Sequence, residues 1–206
     1  ATSVFFLKNQ NSESFDADFC KMLKKLIAFL FAKFIDAPSV NAIKDDIYTS
    51  CISLQNQNEL QIRITINEEL LNQQIDSHSS SRLSRALLLL DAYLNPNQID
   101  LIPGTFDIEH IFPKKWQDTN YNGWNINDAA LYLDRFGNKI VFEKKLNIQA
   151  GNGYFGVKKQ KYGLSKIACV LDLSVYHKND WVKEDIEERE AKFKENLITF
   201  FKDQLL

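Results

Sequence analysis

The stretch FDIEHIFP, residues 106–113, decides how this chain is interpreted. Apolar and polar side chains alternate up to His110, which is the period of a short β-strand that ends at the histidine. After a loop of about two dozen residues, GNKIVFEKKLN, residues 137–147, predicts a second strand over 139–142 and a helical turn from Lys145 onward. The two stretches therefore predict a β–β–α order.

Helices are predicted along most of the remaining chain, because apolar residues recur there at three- and four-residue steps. The predicted helices cover residues 18–35, 40–54, 67–75, 80–94 and 181–206. Residues 60–66 instead alternate apolar and polar side chains, which predicts a strand. The expected fold class is α+β and mainly α-helical, with a helical body that supports the β–β–α motif. We expect a helical region over 1–98 and the motif within 99–206, together forming one compact unit.

The composition excludes several classes of protein. An apolar content of 45% is enough to bury a core, and 25 Lys and Arg against 27 Asp and Glu exclude a uniformly basic nucleic-acid binder. No segment approaches the roughly 18 consecutive apolar residues that a membrane span needs. The three cysteines form no CxxC pair, so neither a disulfide framework nor a cysteine zinc site is indicated. We expect a cytoplasmic protein without a membrane partner.

The motif contains residue types that can cleave a phosphodiester. Attack on phosphate needs a water that has lost its proton, and His110 is the candidate base because an imidazole titrates near neutrality. A hard divalent cation neutralises charge on the phosphate and on the leaving 3′ oxygen, and Glu109 and Asn147 could supply oxygen ligands. Asn138 is expected to fix the tautomer and the aim of the imidazole.

Structural explanations compete with these assignments. A histidine beside a carboxylate is, on its own, more often a hydrogen-bonded structural pair than a catalytic one. Asn138 could form the corner of a turn after Gly137, because asparagine tolerates a positive φ. For Asn152, between two glycines, the loop role is the favoured interpretation.

Residues 139–166 form a basic segment, with seven Lys and one Glu in a chain of net charge −2. Neutralising phosphates releases counterions and supplies most non-specific affinity for nucleic acid, so this segment predicts DNA contact. A solvated charged face is the alternative. The candidate phosphate-contacting residues are Lys158, Lys159, Lys144, Lys145 and Lys161.

The runs DIEHIFPKKW, GNKIVF and KLNIQAGNGYFGVKKQKY resemble the HNH (His-Me finger, ββα-metal) nuclease domain found at the C-terminus of GmrSD-type modification-dependent restriction endonucleases. The resemblance extends over roughly residues 80–189. It implies that His110 is the general base and Asn138 the orienting residue. It also implies a metal site whose candidate ligands are Glu109, Asn147 and, more weakly, Asp107.

The same resemblance implies a metal-dependent DNA endonuclease of an anti-phage restriction system, with Mg²⁺, Mn²⁺ or a similar ion as cofactor. The implied partners are DNA, including modified phage DNA, and an N-terminal NTPase and sensor domain whose DGQQR-like motif is absent from this sequence. A homodimer is compatible with this interpretation. The alternative is a latent, non-cutting module that binds DNA or a partner protein and needs that upstream domain.

Overall fold

The computed structural model describes residues 1–57, 60, 62, 64–77, 81–116 and 124–205. The backbone forms two compact units, Ala1–Gln74 with Ile198–Leu206, and Ile75–Leu197. Within the second unit, the helix over 81–94 packs against one of the strands.

Helices dominate the described residues. The helices are α1 (Thr2–Asn9), α2 (Phe15–Asp36), α3 (Asn41–Gln57), α4 (Glu68–Asp76), α5 (Ser81–Leu94), α6 (Ile126–Tyr132), α7 (Lys144–Ala150), α8 (Phe155–Tyr162), α9 (Ala168–Ser174) and α10 (Lys183–Leu205). The strands are β1 (Phe106–His110) and β2 (Lys139–Glu143), and a 3₁₀ turn covers Phe136–Asn138. The predicted fold class, α+β and mainly helical, is confirmed.

The first unit is built on α2, which buries an apolar stripe. Met22, Leu26 and Phe29 lie three or four residues apart on this helix, and all three are buried. The hydroxyl of Ser39 accepts a hydrogen bond from the backbone N–H of Ala42, which satisfies a donor at the start of α3. The helices predicted over 18–35 and 40–54 are therefore confirmed.

The strand predicted over 60–66 is wrong for the described residues of that stretch. Residues 60, 62 and 64–66 lie outside any strand, although Leu60 and Ile62 are buried. The described apolar side chains of this stretch are buried or half-buried without belonging to a strand, which the pattern alone does not distinguish.

The second unit contains the two paired strands. β1 and β2 are antiparallel, with Ile108 opposite Val141 and His110 opposite Lys139. β2 is buried over most of its length and α7 follows it directly, packing against both strands. The β–β–α order is confirmed, with α6 and the 3₁₀ turn inserted between the strands.

Gly137 lies where α10 passes closest to the turn that precedes β2. A Cβ at this position would lie 1.8 Å from the carbonyl oxygen of Ile186, so only glycine fits. Two neighbours on α10 hold the turn: Arg189 Nη1 donates to the carbonyl oxygens of Phe136, Gly137 and Lys139, and Glu190 accepts from Arg135. This helix therefore fixes the start of β2.

In the ranges given above, no helix combines the length and the apolar character needed to cross a bilayer.

Candidate active site

One cleft brings together three residues that the sequence singled out. Glu109 and His110 at the end of β1 and Asn147 on α7 line a cleft of about 260 Å³. The backbone N–H of Lys144 donates to the carbonyl oxygen of Thr105, so α7 begins beside the start of β1, and it packs against both strands. Asn152 and Lys114 also line this cleft, which we call the β1–α7 cleft.

Glu109 is buried and ion-paired. Its Oε1 accepts hydrogen bonds from Lys158 Nζ at 2.5 Å and from the Tyr162 hydroxyl at 3.0 Å. Burial raises the pKa of Glu109 and lowers that of Lys158, and the contact between the two groups opposes both shifts. Both side-chain donors converge on Oε1, and a backbone hydrogen bond from His110 also lowers the pKa of the carboxyl.

Lys158 corrects a prediction from the sequence. Its side chain is 1% exposed, and its ammonium donates to Glu109 Oε1 and to the carbonyl oxygens of His110 and Ile111. An ammonium has three N–H donors, so all of them are used inside the protein. The predicted phosphate contact of Lys158 is therefore wrong, because the sequence shows its charge but not its burial.

His110 is held beside an acid that the sequence analysis did not identify. Its Nε2 lies 3.3 Å from Oδ1 of Asp134, which also lies 3.2 Å from Lys139 Nζ. Burial lowers the pKa of His110 to about 4, with Lys114 and Lys139 acting in the same direction and Asp134 opposing them. The imidazole is therefore neutral at neutral pH and able to accept a proton.

The contact with Asp134 also determines which nitrogen could act as a base. Burial by itself would raise the pKa of Asp134, but Lys139 and His110 outweigh it and the pKa lies below its ordinary value. An ionised carboxylate accepts hydrogen bonds only, so Nε2 of the neutral imidazole carries the proton. The lone pair is then on Nδ1.

Asn138 acts on the backbone rather than on the imidazole. Its Oδ1 accepts from the backbone N–H of Phe112, and its Nδ2 donates to the carbonyl oxygens of Phe112 and Leu133. The residue is fully buried. The expectation that Asn138 aims the ring of His110 is therefore corrected: its side chain fixes the chain that follows His110, and Asp134 contacts the ring.

The four other candidate phosphate-contacting lysines fall into two groups. Lys159 is half-buried, and its Nζ donates to the carbonyl oxygens of Tyr176 and Lys178. Lys144 and Lys145 are exposed at the start of α7, and Lys161 is half-exposed on α8. Of the candidate phosphate-contacting lysines, Lys144, Lys145 and Lys161 present their charge to solvent.

The oxygen donors of the cleft fit a magnesium-like ion that keeps much of its water. Within the described residues, no three His, Cys, Asp or Glu side chains are arranged to hold a metal ion. Glu109 with the amide oxygens of Asn147 and Asn152 offers one carboxylate and neutral oxygens, a donor set typical of Mg²⁺ sites that are completed by substrate phosphate. Asp107, the weaker candidate ligand, does not line the cleft.

Two functional contacts, those of Asp134 and Tyr162, were missed by the sequence analysis. Asp134 lies in the turn before β2, and the register that pairs His110 with Lys139 brings that turn beside the end of β1. An acid a few residues before an expected antiparallel strand was therefore an available signal. The contact of Tyr162 with Glu109 had no local signal, because the two residues are 53 positions apart.

Comparison with known families identifies the chain. The model of the family described as GmrSD restriction endonucleases, C-terminal domain, matches residues 61–196, well over half of the chain. The chain belongs to this family. No curated protein and no solved structure gives a significant match.

The match to the GmrSD C-terminal domain includes every residue of the β1–α7 cleft named above. Membership implies a nuclease function related to restriction endonucleases, with DNA as the substrate.

Proposed function

We propose that this GmrSD C-terminal domain is a metal-dependent DNA endonuclease of the HNH type that serves an anti-phage restriction system. The observation that carries the proposal is the meeting of Glu109, His110 and Asn147 in one cleft. A neutral imidazole can act as a general base, and a carboxylate and an amide oxygen can hold a metal ion, which together can hydrolyse a phosphodiester.

In the proposed reaction, Nδ1 of His110 takes a proton from a water while the water oxygen forms a bond to phosphorus and the bond to the 3′ oxygen breaks. The leaving 3′ oxygen then takes a proton from solvent. Asp134 keeps the Nε2 proton in place and stabilises the imidazolium that forms, as a carboxylate beside a catalytic histidine does.

Glu109 and Asn147 are the proposed metal ligands. A bound Mg²⁺ or Mn²⁺ would neutralise the charge that develops on the phosphate and on the leaving oxygen. Asn152 lines the same cleft and can add an amide oxygen.

DNA is proposed to approach over α7. Lys144 and Lys145 are exposed at its start, and Lys114 lines the cleft. Because α7 also carries Asn147, phosphates held by these lysines would lie beside the proposed metal ligand. The proposal also includes modified phage DNA as a substrate, an upstream NTPase and sensor domain as a partner, and pairing of two copies of the chain.

The test is cleavage of supercoiled plasmid with Mg²⁺ or Mn²⁺ by the wild type and by His110→Ala. We expect metal-dependent nicked or linear DNA from the wild type and none from the variant, because the water then has no base. His177→Ala, at an exposed histidine, is the matched control and should cleave normally. Cleavage retained by pure His110→Ala would refute the assignment, and DNA binding without cleavage by the wild type would favour the latent module.

A further inference from the structure

Lys158 is a cation that the fold places inside the candidate metal site. It lines the β1–α7 cleft together with Glu109 and Asn147, and its ammonium is 2.5 Å from Glu109 Oε1. Surface lysines contact water or phosphate, whereas this one is 1% exposed and uses all its donors on protein oxygens. A role for Lys158 must therefore be sought in its effect on Glu109.

The ammonium has two effects on the carboxylate. It holds Oε1 in place, with help from Tyr162, and through the His110 carbonyl it links the proposed metal ligand to the strand end that carries the base. It also cancels the negative charge that would attract a metal ion. Of the oxygen donors named for the cleft, Glu109 alone is a carboxylate, so this neutralisation removes the main electrostatic attraction for a cation.

We propose that Lys158 is the resident cation of this site: it positions Glu109 and keeps the affinity of the DNA-free protein for divalent metal low, so that metal and DNA phosphate enter the cleft together. The inference rests on the proposed function, because it takes Glu109 as a metal ligand. The negative charge that Lys158 cancels is supplied by the phosphate of bound DNA. Lys158 is a positioning residue in this scheme, since it acts through Glu109.

The test is the affinity for Mn²⁺ in the absence of DNA, measured by calorimetry or by electron paramagnetic resonance. Lys158→Gln removes the charge but keeps a hydrogen-bond donor, and we expect it to bind Mn²⁺ about tenfold more tightly or better than the wild type. Its DNA cleavage should nevertheless fall, because Glu109 is less well held. A purely structural loss would weaken both binding and cleavage.

Lys159→Gln is the matched control, one residue along α8. It removes the same charge from a lysine that donates to the carbonyl oxygens of Tyr176 and Lys178, so its Mn²⁺ affinity should equal that of the wild type. If Lys158→Gln and Lys159→Gln both bind Mn²⁺ like the wild type, the inference is overturned.

Glu109→Gln separates the inference from the proposed function. If the wild type, Glu109→Gln and Lys158→Gln all bind Mn²⁺ equally, Glu109 is not a ligand and the proposed metal site fails. If binding depends on Glu109 but is not tightened by Lys158→Gln, the inference alone fails.

Folding of the variant is informative in either direction. A Lys158→Gln chain that is unfolded in EDTA and folds with millimolar Mn²⁺ supports the inference, because the metal then replaces the missing ammonium beside Glu109. A chain that stays unfolded at every Mn²⁺ concentration overturns it.

Discussion

The two acids of the candidate active site, Glu109 and Asp134, differ most in how much solvent reaches them. The Glu109 side chain is 6% exposed and its partner Lys158 is 1% exposed, whereas Asp134 is 56% exposed and its partner Lys139 is 11% exposed. Water screens the second pair and not the first. We therefore expect the Glu109–Lys158 pair to contribute more to stability than the contact between Asp134 and Lys139.

Breaking the buried pair should have the largest effect on stability. Lys158→Met leaves Glu109 buried without its ammonium, which we expect to lower the free energy of unfolding by about 3–5 kcal/mol. Chemical denaturation in EDTA measures the change. Lys139→Met is the control: it removes a lysine whose acid partner, Asp134, is 56% exposed and remains hydrated, and it should cost about 1 kcal/mol or less. Equal losses in the two variants would contradict the comparison.

The double variant Glu109→Gln/Lys158→Met tests whether the unpaired charge of Glu109 causes the loss of stability in Lys158→Met. Because both charges are then absent, it should recover most of the stability lost in Lys158→Met. A double variant as unstable as the single one would show that packing of the lysine stem, and not the ion pair, carries the effect.

The pH dependence of stability should report the burial of His110. Its pKa of about 4 in the folded protein lies below the ordinary 6.5, so the unfolded chain binds more protons between these values and stability falls as the pH falls. In EDTA we expect the wild type to lose roughly 2 kcal/mol more than His110→Gln between pH 7.5 and pH 5. Parallel stability curves for the two proteins would contradict the low pKa.

The smallest effect on stability is expected for Asp134→Asn, because the lost charge is half in solvent. The free energy of unfolding should change by about 1 kcal/mol or less. The turnover rate should fall, by less than the roughly 10²–10⁴-fold expected for loss of a general base, because His110 itself remains. Single-turnover cleavage measures the rate and DNA titration measures the affinity. We expect the rate to change and the DNA affinity to stay the same.

The sequence predicted the part of the site that depends on local pattern. Alternation around Ile108 and the position of Asn147 after the second strand placed Glu109, His110 and Asn147 correctly in a β–β–α order, and the structure brings the three into one cleft. These features are local, because strand period and helix start are set by neighbouring residues.

The contacts of the charged groups could not be predicted in the same way. The run of lysines around Lys158 has the composition of a phosphate-binding surface. Lys158 is buried, however, because α8 packs so that its ammonium contacts His110, which lies 48 residues earlier in the sequence. Asp134 likewise contacts His110 only because of the strand register. The alternation at 60–66 failed for the converse reason, since a buried segment without a strand partner has the same pattern.

The hydrogen bonds between α10 and the turn before β2 have a consequence for the order in which the chain folds during synthesis. Arg189 binds three carbonyl oxygens around Gly137, some fifty residues earlier in the chain, and Glu190 binds Arg135. While the ribosome has released only the chain before α10, these carbonyl groups and the Arg135 guanidinium lack their partners. The turn that positions Asp134 and Lys139 is therefore completed only after α10 has been synthesised.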